Sequence, residues 1–335
     1  MDLITRYMGL ELKNPLVASA SPLNADLDNI RRLEDAGAAA IVLPSLFEEQ
    51  IAMEMWHYET LTATGLESSP EAQSYVPRSN GLGPQEYLDL VRRASAAVDV
   101  PVIGSLNGTT DEGWIAYAKL IEQAGAAGLE LNVYYISTDL SLSGRDVEQR
   151  HVEILRAVRP AIEIPLAIKL GPYFSSMGQV AMELVAAGAD ALVLFNRFYQ
   201  PDIDLAELRL VNDLQLSRAN EIRLPLLWMA VLSGRIEASL AASTGVEDAE
   251  QIVKYLLAGA DIVMTTSALL RNGPQYIENL LADTVSWLAA RDIDSVGQIR
   301  GLLSQSCYRN PDSFGRANYM KILHGYTTRD PEGGH

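Results

Sequence analysis

One lysine stands inside an otherwise apolar segment of the sequence. Lys169 lies in LAIKLGPYF, a run typical of a buried strand. A buried cation costs free energy unless an anionic or strongly polar partner accompanies it. Two interpretations follow: Lys169 forms an ion pair with a neighbouring carboxylate such as Glu130, or its charge is directed at a ligand.

A second apolar segment ends in an amide and two phenols. GLELNVYYISTD begins as a buried strand and then places Asn132, Tyr134 and Tyr135 before a polar loop. A tyrosine titrates near pKa ~10, so only about one in a thousand is ionised at pH 7. A phenol is therefore a poor general base but serves well as a general acid.

Both segments belong to a repeated pattern of helix and strand. In one form an amphipathic helix ends at a glycine and an apolar strand follows, as in IEQAGAAGLELNV and LVAAGADALVLFN. In the other form a proline opens the strand, where no ladder donor is needed. The predicted strands begin near Pro15, Ala39, Pro101, Gly128, Pro165, Ala191, Ser239 and Asp261. Eight alternating units predict a (β/α)8 TIM barrel.

Two long connections interrupt this predicted barrel. They are residues 46–83 after strand two and residues 197–238 after strand six. The second contains the apolar run LPLLWMAVLSGRI, which we interpret as an extra strand or hairpin. Residues 1–325 are predicted to form one barrel domain and residues 326–335 a disordered tail. The alternative fold is a doubly wound open sheet, but no glycine-rich dinucleotide motif follows the first strand.

Small polar residues follow the predicted strands, at the end where such barrels hold their active sites. Strands seven and eight end in Ser243 to Gly245 and Thr265 to Ser267. Backbone N–H groups and hydroxyls before a helix bind phosphate, although serine and threonine also serve as simple helix caps. A phosphate corner, Lys169 and the amides of Asn132 and Asn196 suit a flat cofactor with polar edges, such as FMN.

The composition excludes several kinds of partner. The 335 residues carry a net charge of −17, which argues against nucleic acid and anionic membranes. The single cysteine, Cys307, forms no internal disulfide, so a cytoplasmic setting is expected. The amino-terminal segment has no apolar run of signal-peptide length, and no uncharged apolar run in the sequence is long enough for a membrane-spanning helix. The four histidines lack metal-ligand spacing, so no metal is expected.

In this order along the chain, the motifs resemble the dihydroorotate dehydrogenase family, class 1. The similar segments are GLELKNPLVASAS, NGLGPQEYL, GLELN, IKLGPYF and LLAGADIVMTTSALLRNGP. The resemblance covers nearly the full length and implies an FMN-dependent oxidoreductase, a small-molecule substrate and a homodimer. It implies that Lys169 stabilises negative charge on the flavin and that Asn132 bonds both flavin and substrate.

Further roles follow from the same resemblance. Substrate contacts are expected from Arg78, Asn132, Ser137 and Asn196. Catalytic roles are expected for Tyr135 and Lys169. Cofactor contacts are expected from Ala20, Ser45, Asn132, Lys169, Gly234, Thr244, Gly245, Thr265 and Thr266.

Several positions depart from the family pattern. Pro44 stands where the family has a lysine, and Arg78 stands where it has an asparagine. Tyr135 occupies the place of the catalytic cysteine, and Ser137 that of an asparagine. Tyr135 is therefore predicted to donate a proton or clamp the substrate, unless both tyrosines only pack over the flavin.

The expected reaction is hydride exchange between flavin N5 and a CH–CH bond of a dihydroorotate-like or dihydropyrimidine-like substrate. One alternative is a flavin-free phosphate-binding lyase or isomerase in which Lys169 forms a Schiff base. Another is a non-catalytic barrel that binds FMN or a metabolite.

Overall fold

Eight parallel strands form a closed barrel in the computed structural model, which describes residues 1–53, 56, 82–108, 114–198, 200–211, 213–309 and 314. The barrel strands, in chain order, are β3 (Leu16–Ala18), β4 (Ile41–Phe47), β5 (Val102–Gly108), β6 (Gly128–Val133), β7 (Leu166–Leu170), β8 (Ala191–Leu194), β11 (Ser239–Ala242) and β12 (Ile262–Thr265). Each strand pairs with its neighbour in sequence, and β12 closes the barrel on β3. The predicted (β/α)8 barrel is confirmed.

Helices surround the barrel. They are α1 (Leu27–Asp35), α2 (Pro84–Ala97), α3 (Trp114–Gln123), α4 (Gly144–Val158), α5 (Met177–Ala186), α6 (Arg223–Leu232), α7 (Ala249–Ala258), α8 (Ser267–Asn272) and α9 (Tyr276–Ala289). Short 3-10 turns cover Pro22–Ala25, Arg159–Ala161, Ala219–Ile222 and Val296–Gln298. Among the described residues, no helix has the length and apolarity needed to cross a membrane.

Glycine ends the repeated helices because the chain must reverse sharply into the next strand. Gly37 and Gly259 have φ angles of +103° and +115°. These left-handed conformations are strained for residues with a Cβ atom. The Ala-Gly-Ala pattern of the sequence therefore marks the points where helices return to the barrel.

An antiparallel hairpin closes the amino-terminal end of the barrel. It consists of β1 (Thr5–Tyr7) and β2 (Leu10–Leu12). Tyr7, Met8 and Leu12 are buried together with inward-facing side chains of the barrel strands. The Met8 N–H also donates to Ser239 Oγ at 3.1 Å. The sequence did not predict this hairpin.

The long insertion after β8 contains a second hairpin, β9 (Asp202–Asp204) and β10 (Arg209–Val211). The interpretation of LPLLWMAVLSGRI as an extra strand or hairpin is wrong, because most of this run is helix α6. Pro225 is compatible with that helix because it lies in the first turn, where an N–H has no helical acceptor. The predicted tail, residues 326–335, and most of the insertion after β4 lie outside the described residues.

Candidate active site

The carboxyl ends of the barrel strands surround a cavity of about 270 Å³, which we call the central cavity. Seven of the predicted site residues line it: Ala20, Lys169, Asn196, Thr244, Gly245, Thr265 and Thr266. They come from the ends of five barrel strands, which the parallel topology brings to one face. The structure therefore gathers most of the predicted cofactor set around one opening.

Lys169 combines the two interpretations drawn from the sequence, an ion pair with a carboxylate and a charge directed at a ligand site. Its side chain is buried, with Nζ 3.4 Å from Glu130 Oε1 and 3.5 Å from Ser19 Oγ. Both contacts are long, and an ammonium group has three hydrogens to donate. The second carboxylate oxygen, Glu130 Oε2, has no hydrogen-bond partner among the described residues. Lys169 is thus paired with a buried carboxylate and also faces the cavity.

Two amides meet beside this lysine. Asn196 Nδ2 donates to Asn132 Oδ1 at 2.7 Å, and Asn132 pairs with Lys169 across the β6–β7 ladder. This bond uses one donor and one acceptor of the pair. The Asn132 amide hydrogens and the Asn196 carbonyl oxygen can therefore complement a ring edge that carries both a carbonyl and an N–H group.

The ends of β11 and β12 form the predicted phosphate corner, but their donors differ from those expected. Two N–H groups at the start of α7 already have acceptors, because Asp248 Oδ1 accepts from the Glu250 N–H and Gln251 Oε1 accepts from the Asp248 N–H. The corner therefore consists of the loop before α7, where Thr244 and Gly245 have φ angles of +83° and +72°. Thr244 Oγ1 donates to the Phe195 carbonyl oxygen at 2.9 Å, and Thr265 Oγ1 donates to the Val246 carbonyl oxygen at 3.3 Å. An anion at this corner would therefore compete with acceptors of the protein for these hydroxyls.

A strap from the insertion covers this corner. We define the strap as residues 214–217. Ser217 Oγ accepts from the Gly245 N–H at 3.2 Å and donates to Ser267 Oγ at 2.9 Å. Arg271 donates to the carbonyl oxygens of Leu216 and Ser217 at 3.0 and 2.8 Å. Leu214, Leu216 and Ser217 also line the cavity, and no motif in the sequence predicted this role.

The cavity is lined by positive charge alone. Lys169 and Arg197 are its charged residues, and none of the described lining residues carries a carboxylate. Arg197 bonds Glu221 Oε2 at 2.9 Å and the Gln215 carbonyl oxygen, so it also fixes the strap. Each cation is paired with a carboxylate outside the lining, Lys169 with Glu130 and Arg197 with Glu221, so the cavity presents cationic donors although the site as a whole has little excess charge. These donors fit the phosphate and the polar ring edge of FMN.

Five of the predicted residues that the structure describes do not line this cavity: Ser45, Asn132, Tyr135, Ser137 and Gly234. Ser45 Oγ is bonded to Ser105 Oγ at 2.8 Å, across the β4–β5 pair. Gly234 follows α6 at the opposite, amino-terminal end of the barrel, where Ser306 lies beside it. Arg78 lies outside the described residues.

Tyr135 and Ser137 line a neighbouring pocket of about 340 Å³, with His151, Tyr173, Phe174 and Phe198. We call it the aromatic pocket. The Arg150 guanidinium lies 4.1 Å from the centroid of the Tyr135 ring. The structure therefore separates the predicted proton donor from the cavity that contains Lys169.

Several other proteins are similar in sequence to this chain, at low identity and over most of its length. The catalytic subunit of dihydroorotate dehydrogenase B (NAD(+)) from Methanothermobacter thermautotrophicus is 25% identical over 313 residues, covering 89% of this chain and 97% of that protein. A putative dihydroorotate dehydrogenase A (fumarate) from Aeropyrum pernix is 24% identical, covering 90% and 97%. No family model matches the chain.

A protein named for a different substrate is similar to this chain over an equally large share of its length. The NAD-dependent dihydropyrimidine dehydrogenase subunit PreA of Escherichia coli is 22% identical over 325 residues, covering 91% of this chain and 77% of that protein. The resemblance to the dihydroorotate dehydrogenase family is thus confirmed, as that of a divergent relative.

Proposed function

We propose that this barrel binds FMN and catalyses hydride exchange with a CH–CH bond next to a carbonyl in a dihydropyrimidine-like ring. The observation that carries the proposal is the cation-lined cavity at the strand ends of a strongly acidic chain. The similarity to dehydrogenases of dihydroorotate and dihydropyrimidines supports it. Bound FMN would supply the hydride acceptor or donor.

Lys169 would stabilise negative charge that develops at the polar edge of the cofactor. Its ammonium group is held in place by Glu130 and Ser19, so little reorganisation is needed when the charge forms. Thr244, Gly245, Thr265 and Thr266 would hold the phosphate, with Ala20 beside them. Asn132 and Asn196 would bind the polar edge of the substrate ring through their remaining donor and acceptor.

Tyr135 would donate the proton that accompanies hydride transfer, in the direction of substrate reduction. None of the described residues lining the central cavity is a cysteine, histidine or tyrosine. Because Tyr135 lies in the aromatic pocket, the substrate must extend into that pocket to receive its proton.

The Tyr135→Phe substitution tests this role. We expect turnover to fall about 100-fold or more, the usual contribution of a general acid, while bound flavin is unchanged. Tyr308→Phe is the matched control, because Tyr308 is exposed and lines neither the central cavity nor the aromatic pocket. Unchanged turnover in Tyr135→Phe would remove the phenol from the mechanism.

The absorbance spectrum and anaerobic bleaching test the function itself. Purified protein should show a flavin band at about 450 nm. Dihydroorotate and dihydropyrimidines, added one at a time without oxygen, should bleach that band if one of them is the substrate. A flavin-free protein whose Lys169 is trapped by borohydride with a carbonyl compound would instead be a Schiff-base lyase. Bound flavin that no such compound bleaches would contradict the assigned substrate class.

A further inference from the structure

We propose that the aromatic pocket binds the distal part of the substrate, and that this part is a flat apolar ring bearing an N–H or O–H donor. The inference rests on the proposed function, because it places the reacting part of the same molecule between the cofactor in the central cavity and Tyr135 at the aromatic pocket. It extends that function by describing a substrate larger than a simple dihydropyrimidine.

The two sites are joined by a smaller cavity of about 130 Å³. This connecting cavity shares Phe195, Asn196 and Thr244 with the central cavity. It shares Tyr173, Phe198 and Gln200 with the aromatic pocket. The three spaces are therefore direct neighbours across the mouth of the barrel, and a single extended ligand that contacts these shared side chains would span them.

Aromatic rings from three different loops form the wall of the pocket. Tyr135, Tyr173 and Phe198 supply these rings, and the Phe198 ring lies 5.3 Å from the Tyr173 ring, centroid to centroid. A Cβ atom on Gly171 would lie 2.6 Å from Phe198, so only glycine permits this ring to approach the strand end. Such ring faces and edges favour a flat, unsaturated ligand over a branched aliphatic one.

His151 defines the polar requirement of the ligand. It lines the pocket and is 4% exposed. Its Nδ1 lies 3.0 Å from the Val147 carbonyl oxygen, and since a carbonyl only accepts, Nδ1 carries the hydrogen. Burial lowers the pKa of His151, so the ring is neutral at pH 7. Its Nε2 therefore presents a lone pair, which a ligand N–H or O–H group complements.

The packing around His151 fixes that orientation. Phe174 contacts the imidazole edge-on at a centroid distance of 5.1 Å. Glu148, one turn earlier on the same helix, accepts from the backbone and the hydroxyl of Ser175, at 2.7 Å each. This ties helix α4 to the loop that carries Tyr173 and Phe174. The acceptor and the aromatic wall are thus parts of one assembled site.

A matched pair of probes tests the inference. Indole and 1-methylindole differ in the N–H donor and offer similar ring surfaces. Their binding to the flavin-loaded protein is measured by equilibrium dialysis. We expect indole to bind roughly three- to tenfold more tightly, the usual value of one neutral hydrogen bond. In His151→Phe, which keeps a ring against Phe174, the two probes should bind equally. Tyr173→Leu should weaken both probes by the same factor.

A second measurement uses the unchanged protein, in case His151→Phe fails to fold. The chain has four histidines, so 15N labelling of histidine gives few resonances. Indole should shift one unprotonated Nε2 resonance, and 1-methylindole should leave it in place. Equal binding of both probes, saturable binding of neither, or discrimination that survives in His151→Phe would overturn the proposal.

The flavin band of the same sample separates this inference from the proposed function. Flavin-loaded protein that fails to distinguish the probes contradicts the aromatic subsite alone. Protein that distinguishes the probes but has no flavin band contradicts the oxidoreductase alone.

Discussion

Lys169 and Glu130 form a buried ion pair whose two members have different tasks. Their side chains are 8% and 1% exposed, and their charged atoms are 3.4 Å apart. Removing two charges from water costs free energy, and the attraction between charges at this separation offsets only part of that cost. An arrangement of this kind is better explained by a ligand that needs the cation than by stability.

Replacing one partner should therefore cost far more than replacing both. Lys169→Met leaves a buried carboxylate without its cation, which should lower the free energy of unfolding by about 3 kcal/mol. Adding Glu130→Gln to the same chain should recover most of that loss. Urea denaturation of the apoprotein, across a double-mutant cycle, measures the coupling. Strictly additive losses would show that the pair has no energetic link.

His151 gives the apoprotein a defined pH dependence. Burial lowers its pKa in the folded state, whereas an unfolded histidine titrates near pKa ~6.5. As the pH falls below about 6.5, the unfolded chain binds a proton that the folded chain does not, so stability decreases. We expect His151→Phe to have a smaller loss of stability between about pH 7 and pH 5.5 in urea titrations. Identical slopes in the two proteins would contradict a neutral buried imidazole.

The site residues differ in how visible they are in the sequence. Lys169, Asn132 and Asn196 were predictable, because a polar side chain at the end of an apolar strand interrupts a clear pattern. Ser217 and Arg271 were not, since their importance arises only when the insertion folds back over the β11 and β12 loops. Gly234, a predicted cofactor contact, lies away from the cavity because α6 carries it to the other end of the barrel.

At the scale of elements, the repeated units were predictable and the insertions were not. A parallel strand buried on both faces, followed by a glycine at each helix end, has a strong local signature. The strands of both hairpins contain three residues each, too few for a recognisable alternation. The apolar run of α6 fits a helix or a strand equally well until its length and neighbours are known.

The strap is the element on which flavin retention should depend. Arg271 holds it through two backbone carbonyl oxygens and is itself bonded to Glu247 Oε1 at 2.9 Å. Arg271→Met removes these bonds, so we expect the Kd for FMN to rise about tenfold, as for the loss of one or two charge-assisted hydrogen bonds. Flavin fluorescence titration measures the change.

Arg300→Met is the matched control for that substitution. Arg300 is paired with Asp261, which precedes β12 at the opposite end of the barrel. Its loss should leave the Kd for FMN unchanged. Equal effects of the two substitutions would mean that Arg271 acts through general stability rather than through the strap.

At the scale of the whole molecule, the net charge of −17 should oppose the approach of FMN, the anionic cofactor proposed for the cavity. Lys169 and Arg197 act at close range, where salt screens them little. The acidic surface acts over a Debye length of roughly 10 Å at 0.1 M salt and is screened strongly. The association rate for FMN should therefore rise as salt increases from about 10 to 300 mM.

Riboflavin is the matched control for this salt effect, because it has the same ring system without the phosphate charge. Its association rate should be nearly independent of salt in stopped-flow fluorescence, since an uncharged ligand feels no net repulsion. If the association rate for FMN instead falls as salt increases, attraction by the cations that line the cavity outweighs repulsion by the acidic surface even at long range. Parallel salt dependence for both ligands would instead indicate a conformational step, such as opening of the strap, that limits entry to the cavity.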